Sequence, residues 1–158
     1  MAGGKIYTDE VAVNATGKAT VGDISTLEVT FSIATADVAA LNSAPQTVVA
    51  AAPADYYNEF VSATLWYDYA TAAFGGIASG EDLQFRVGTV PVSATCEATG
   101  FLDQATDQVR HVNAYTAAQY VPAAATAINL FLTTGDITAG GTCRLRGKVY
   151  YRQRPLTW

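Results

Sequence analysis

The sequence predicts an all-β fold: a single β-sandwich or jelly-roll-like domain with one or two short helical turns. Three observations predict it. Short runs in which apolar and polar residues alternate recur along the 158 residues, and this alternation is the period of half-buried strands. Turn-forming segments such as FGGIASGED, GTVP, TTGD and AGG separate these runs. The predicted helical turns are too short to support a parallel α/β sheet, so antiparallel sheets packed face to face are expected.

The N-terminal segment, residues 1–24, is predicted to be an arm or to contain a first strand at Ile6–Val13. The clearest strand is Thr26–Ile33, in which apolar and polar residues strictly alternate. A helical turn is predicted at Ala36–Leu41, with Thr35 as its N-cap, and a second at Leu102–Ala105. The remaining strands are predicted at Gln46–Ala50, Glu59–Tyr69, Asp82–Val87, Pro91–Cys96, Gln108–Val112, Ala127–Leu132 and Thr142–Arg152.

The aromatic strand that begins at Glu59 has two dissimilar faces. One face is almost continuously apolar and is expected in the core: Val61, Ala63, Leu65, Tyr67 and Tyr69. The other face mixes Phe60 and Trp66 with polar residues, as a surface that meets a partner subunit would. Trp66 either faces a sister subunit or forms a platform for a receptor glycan.

Charge is distributed unevenly along the chain. The net charge is −5, yet residues 1–143 contain all 14 acidic residues and only four basic ones. The last fifteen residues contain the other five cations: Arg144, Arg146, Lys148, Arg152 and Arg154. This asymmetry predicts a basic segment that contacts an acidic partner. An acidic protein surface is favoured over nucleic acid, because the acidic body would be repelled by phosphates.

The C-terminal residues 155–158 are predicted to be a tail that follows a sandwich domain of residues 25–154. Pro155 has no amide hydrogen, so the last strand should end near Arg154 and release Leu156 and Trp158 as a short hook. Trp158 then either fills a pocket on a partner or packs back onto its own sandwich.

Catalytic and metal-binding patterns are scarce. His111 is the one histidine, and Ser62, Ser79 and Ser93 all lack a Gly-x-Ser-x-Gly elbow. Cys96 and Cys143 belong to no Cys-x-x-Cys pair, so they are expected to be small apolar strand residues, with a disulfide as the alternative. The odd spacing of Glu59 and Asp68 places them on opposite faces of a regular strand, which disfavours an acid and base pair. The sequence therefore predicts a protein that is not an enzyme and needs no cofactor or metal.

Targeting signals are also missing from the sequence as given. No apolar run approaches the roughly 18–20 residues that span a bilayer. The start, MAGGKIYTDE, lacks the layout of a secretory signal. Synthesis in the cytoplasm, without membrane association, is therefore expected.

Four stretches resemble a family of small virion proteins of tailed bacteriophages. They are the stretch from ALNSAPQTVV through PADYYNEFVSATLWYDYATAAF, then SATCEATGFLDQATD, INLFLTTGDITAGGT and the ending KVYYR. The resemblance covers about residues 36–152, with an additional alanine at Ala50–Pro53. Residues 1–24 and the tail after Arg152 depart from it, and either segment could grip a partner.

The resemblance implies a β-sandwich subunit on a phage particle, similar to the trimeric decoration, or cement, proteins that clamp neighbouring major capsid subunits. Its expected partners are other copies of this chain in a homotrimer and the major capsid protein, with no nucleic acid or membrane. Its expected location is the capsid surface of the virion, after assembly in the host cytoplasm. A head fibre, a tail adaptor and a receptor-binding virion protein are the alternatives. The interface is expected at Phe60, Trp66, Arg144, Arg146, Arg152, Arg154 and Trp158.

Overall fold

A computed structural model of the chain describes residues 12–13, 19–20, 26–115 and 123–156. The elements in chain order are β1 (Ala12–Val13), β2 (Ala19–Thr20), β3 (Leu27–Ala34), α1 (Thr35–Ala39), β4 (Gln46–Val49), β5 (Tyr56–Asp68), β6 (Asp82–Val87), β7 (Val90–Pro91), β8 (Cys96–Glu97), β9 (Gln108–Asn113), β10 (Ile128–Leu132) and β11 (Arg144–Pro155).

The strands form two main antiparallel sheets. The first is four-stranded, in the order β3-β11-β5-β9. The second is five-stranded, in the order β4-β10-β6-β7, with β8 also paired to β6. β1 and β2 pair only with each other among the described strands. The predicted all-β fold class is therefore confirmed, with α1 as a single helical turn.

The two sheets enclose one hydrophobic core. Apolar side chains of both sheets belong to the same buried cluster. Phe60 of β5 stacks on Phe85 of β6, with ring centroids 5.0 Å apart, and this contact joins the sheets directly. Leu65 of β5 and Leu130 of β10 are completely buried. Such interdigitation of two inner faces is what defines a sandwich.

β11 lies in the middle of the four-stranded sheet, between β3 and β5. Its odd-numbered residues Leu145 and Val149 are completely buried in the core. Gly147 lies between Phe31 of β3 and Leu65 of β5. A Cβ atom at Gly147 would lie 2.7 Å from the Phe31 ring and 2.6 Å from the Thr64 carbonyl oxygen. The close approach of three strands therefore requires glycine here.

A β-bulge in β5 overturns part of the predicted face assignment. Tyr150 pairs with Ser62 but Tyr151 pairs with Phe60, so Val61 is an additional residue in β5. On the N-terminal side of Ser62, the bulge therefore exchanges the positions that point into the core with those that point outward. Phe60 consequently turns into the core, with 4% of its surface exposed. The prediction that Phe60 lies on the partner-facing side is wrong for this reason.

The same bulge moves Glu59 to the outside of the sheet, where it contacts Arg152 and Arg154. Asp68 also lies outside and pairs with Arg146. The prediction that Glu59 and Asp68 occupy opposite faces is therefore wrong. Their separation still disfavours an acid and base pair, since they lie opposite Arg152 and Arg144. Eight residues of extended chain span about 26 Å, far beyond the roughly 5–10 Å of paired glycosidase carboxylates.

Two local predictions differ from the structure near the helical turns. Thr35 is the first residue of α1 and not its N-cap, and its hydroxyl donates to the Cys143 carbonyl oxygen instead. The second predicted helical turn, Leu102–Ala105, is a turn in which the Leu102 amide donates to the Ala98 carbonyl oxygen. The predicted strand Pro91–Cys96 is two short strands, β7 and β8.

The C-terminal end of β11 also differs from the prediction. The strand includes Pro155, which pairs with Tyr56, and the Leu156 amide donates to the Asp55 carbonyl oxygen at 2.8 Å. Amides alternate between the two sides of a strand, so the nitrogen of Pro155 points away from β5. Among the described residues, β3 pairs with β11 as far as Tyr151, so proline interrupts no ladder within this part of the chain. Leu156 is therefore not released as a hook. Trp158 and, apart from β1 and β2, the predicted N-terminal arm lie outside the described residues.

Candidate interaction surface

The candidate surface is the side of the four-stranded sheet that points away from the core, called here the outer face. Its side chains come from all four strands. They are Glu28, Thr30 and Ser32 of β3; Arg144, Arg146, Lys148, Tyr150, Arg152 and Arg154 of β11; Glu59, Ser62, Thr64, Trp66 and Asp68 of β5; and Val109, His111 and Asn113 of β9.

All five cations of the C-terminal segment lie on this face, because each occupies an even-numbered position of one uninterrupted strand. They form a line along the centre of the sheet, called here the basic stripe: Arg144, Arg146, Lys148, Arg152 and Arg154. Ten residues of extended strand separate its ends, a distance of about 33 Å. The local cluster of charge in the sequence thus becomes a long, narrow feature of the surface.

The basic stripe is partly neutralised by carboxylates of the neighbouring strands. Arg146 pairs with Asp68 and Lys148 with Glu28, each at 2.7 Å. The Glu59 carboxylate lies 2.9 Å from Arg154 and 3.8 Å from Arg152. The hydrogen bond from Lys148 lowers the pKa of Glu28, and the same bond raises the pKa of Lys148. Exposed pairs of this kind add little to stability, so their main effect is on the charge of the surface.

Arg144 differs from the other four cations. Among the contacts within the described part of the chain, it has no carboxylate partner. Asp68 lies directly opposite Arg144, but it pairs with Arg146. The end of the stripe at Arg144 therefore carries an uncompensated positive charge.

Trp66 and Val109 form an exposed apolar pair at that end of the stripe. They lie directly opposite each other on β5 and β9, and 43% and 52% of their respective surfaces are exposed. The Arg146 guanidinium lies 5.7 Å from the centre of the Trp66 ring, within the range of a cation–π contact. A large exposed aromatic residue beside charged groups is typical of a binding surface.

A shallow groove of about 270 Å³ opens next to Trp66, and its other lining residues are Thr30, Thr64, Gly147 and Lys148. The ion pairs explain its origin. Asp68 lies opposite Arg144 and Glu28 lies opposite Tyr150, so Arg146 and Lys148 lean in opposite directions along β11. The backbone at Gly147 between them is left uncovered and forms the floor.

The residues considered for catalysis do not assemble into a reactive group. His111 is exposed on β9, and its Nδ1 atom lies 3.1 Å from the Thr64 hydroxyl oxygen. Within the described ranges, no cluster of three or more His, Cys, Asp or Glu residues has a geometry that could hold a metal ion.

Both cysteines are free thiols and both are buried, as the sequence favoured. Cys143 accepts a hydrogen bond from the Tyr67 hydroxyl at 3.3 Å and donates one to the Ala72 carbonyl oxygen at 3.1 Å. Burial raises the pKa of Cys96 to about 11. Burial, followed by the hydrogen bond to Cys143, also raises the pKa of Tyr67. The Cys96 thiol and the Tyr67 hydroxyl are therefore uncharged at neutral pH.

The outer face brings together five of the seven residues predicted for the interface: Trp66, Arg144, Arg146, Arg152 and Arg154. Phe60 is in the core, and Trp158 is outside the described residues. Sequence reasoning missed Val109 as a member of this face. The alternation of residues in Gln108–Asn113 predicts its position, because it places Val109 and His111 together on one side of a strand.

Comparison with protein-family models, with curated proteins and with solved structures finds no match to this chain. The one described helix falls far short of the length and apolar character needed to cross a bilayer.

Proposed function

We propose that the chain is a structural protein of a tailed-bacteriophage virion, a capsid decoration protein that binds between major capsid subunits and stabilises the head. The observation that carries the proposal is the outer face, a rigid sheet surface that combines a basic stripe about 33 Å long with exposed apolar side chains. The resemblance of residues 36–152 to small phage virion proteins supports the same role.

A decoration protein stabilises a shell by binding it, so it needs adhesive surface and no reactive side chain. A standard interface buries roughly 800 Å² on each partner, and binding to the assembled shell alone stabilises it by mass action. The outer face offers mixed polar and apolar side chains over four strands. The homotrimer that we propose would repeat such contacts around each three-fold position of the shell.

We place attachment to the shell at the end of the stripe formed by Arg152 and Arg154. Both cations contact the Glu59 carboxylate from the outer face of the sheet, where the acidic groups of a partner surface can approach them. The strand there leads directly into the C-terminal tail with Trp158, a residue type that often anchors interfaces.

A receptor-binding virion protein, the second candidate, is favoured by Trp66 and the groove beside it. Such a protein would bind cells or glycans as an isolated trimer. A decoration protein would bind assembled shells whether or not it also binds glycans, so shell binding separates the two candidates.

The test mixes purified protein with undecorated, expanded capsids at low and at high salt. We expect saturable binding, with three copies per local three-fold position, and weaker binding at high salt because screening reduces the attraction of the stripe. Sedimentation of the capsids with bound protein measures it. Lack of binding at both salt concentrations would contradict the decoration role.

Matched variants locate the attachment. Replacing Arg152 and Arg154 with glutamine, or deleting residues 157–158, should weaken capsid binding without dissociating the trimer. Arg144→Gln at the other end of the stripe is the control and should bind normally. The reverse pattern would place attachment at the Trp66 end.

A further inference from the structure

The groove beside Trp66 has the size of a site for one sugar ring and an aromatic wall on which such a ring can stack. Its volume of about 270 Å³ lies just below the roughly 300–1,000 Å³ of pockets for drug-sized ligands, so it suits a ring with few substituents. Trp66 supplies an aromatic wall, and Thr30 and Thr64 line the groove mainly with apolar atoms, since the Thr64 hydroxyl lies against His111 Nδ1 at 3.1 Å. An aromatic face carries partial negative charge that attracts positively polarised hydrogens, and the C–H face of a pyranose presents such hydrogens.

The charges around the groove favour a sugar that carries a carboxylate. Trp66 lies directly opposite Arg146 on β11, so Arg144 and Lys148 are its two diagonal neighbours. Diagonal neighbours in a sheet lie about 7–8 Å apart. Arg146 and Lys148 are held by Asp68 and Glu28, whereas Arg144 has no carboxylate partner among the described residues. Arg144 is therefore the cation available to an anionic ligand that stacks on Trp66.

We propose that this groove binds an acidic saccharide, with one sugar ring against the Trp66 indole and a carboxylate at Arg144. The proposal goes beyond the decoration role and does not rest on it, since the attachment end of the stripe is about 33 Å from Arg144.

Tryptophan fluorescence gives a direct test, because the chain has only two tryptophans, Trp66 and Trp158. In a Trp158→Phe background, all tryptophan emission comes from Trp66. The probes are an oligogalacturonate and, as its uncharged counterpart of the same length, the fully methyl-esterified oligogalacturonate. We expect a saturable change in emission with the oligogalacturonate, an affinity that falls at high salt, and clearly weaker binding of the neutral sugar.

Variants assign the binding to the groove, with calorimetry as the readout where Trp66 is replaced. Trp66→Ala should abolish oligogalacturonate binding, and Arg144→Gln should weaken it by roughly tenfold, as expected for one charged hydrogen bond. Arg154→Gln, at the far end of the same stripe, should leave it unchanged.

Three outcomes would overturn the proposal: no saturable binding of either sugar, binding that survives Trp66→Ala, or equal affinity for the charged and neutral sugars. Capsid binding is measured on the same variants. If Trp66→Ala abolished capsid binding and the parent protein bound no sugar, the groove would be a subunit contact, and the decoration role would stand without the saccharide site.

Discussion

Gly147 is the residue on which both the sheet centre and the groove depend. On one side it lets the Phe31 ring and the Thr64 carbonyl approach β11 closely. On the other side its bare backbone forms the floor between Arg146 and Lys148. The missing side chain therefore serves the packing of the core, while the backbone of the same residue is exposed at the outer face.

Gly147→Ala should destabilise the protein by about 1–3 kcal/mol, the usual cost of forcing additional atoms into a packed site. The new Cβ would lie 2.6 Å from a backbone oxygen, so a side-chain rotation alone cannot relieve the contact. Urea denaturation measures the change. Gly75→Ala is the control, because its Cβ would meet only Thr138, at an ordinary 4.0 Å. Equal stability of the two variants would show that the strands at Gly147 can separate freely.

At the scale of elements, the bulge in β5 decides which aromatic side chains are buried. With Val61 as an additional residue, Phe60 packs on Phe85 while Trp66 remains outside, although both positions are even. The bulge also brings Glu59 beside Arg152 and Arg154, where it neutralises part of the stripe. A single inserted residue therefore changes the core and the charge of the outer face together.

The two aromatic residues should respond oppositely to truncation. Phe60→Ala should cost about 3–5 kcal/mol of stability, as large-to-small changes at buried aromatic positions do. Trp66→Ala should cost far less, because nearly half of its surface is already exposed. Thermal and urea denaturation of the two variants measure the difference. If Trp66→Ala proved as costly as Phe60→Ala, the outer face would be a packed part of the fold.

At the scale of the whole molecule, the sandwich separates a closed interior from an outer face free to bind. The interior even contains a carboxylate, Glu81, which is 1% exposed and accepts hydrogen bonds from the amides of Thr134 and Gly135. These bonds tie the connection between β10 and β11 to the start of β6. Both thiols lie in the same interior, so the rate at which a reagent modifies them measures unfolding of the whole molecule.

Neither thiol should react with a disulfide reagent such as DTNB at pH 8 while the protein is folded. Cys143 is completely buried, and Cys96 is 7% exposed with a pKa raised to about 11 by burial. Only the thiolate reacts, so labelling should require unfolding, and both thiols should react in denaturant. Cys96→Ala and Cys143→Ala identify the site. Rapid labelling of the native protein would contradict a closed interior.

The sequence by itself determined the fold class, most strand positions and the exposure of the C-terminal cations. Alternation with a period of two is a local property, so Asp82–Val87 and the faces of β11 follow from it directly. The same reasoning placed Trp66 correctly on the outside.

Only the tertiary structure decided where that alternation slips and which charges meet. The bulge at Val61 is a feature of the pairing between β5 and β11, and no residue pattern within β5 predicts it. Pro155 continues β11 because its nitrogen points away from β5, a fact about the pairing of two strands. The ion pairs Arg146–Asp68 and Lys148–Glu28 join residues distant in sequence. They leave Arg144 without a carboxylate partner among the described residues and leave the groove at Gly147 uncovered. Such features depend on register between strands, whereas a sequence pattern reports only on one strand at a time.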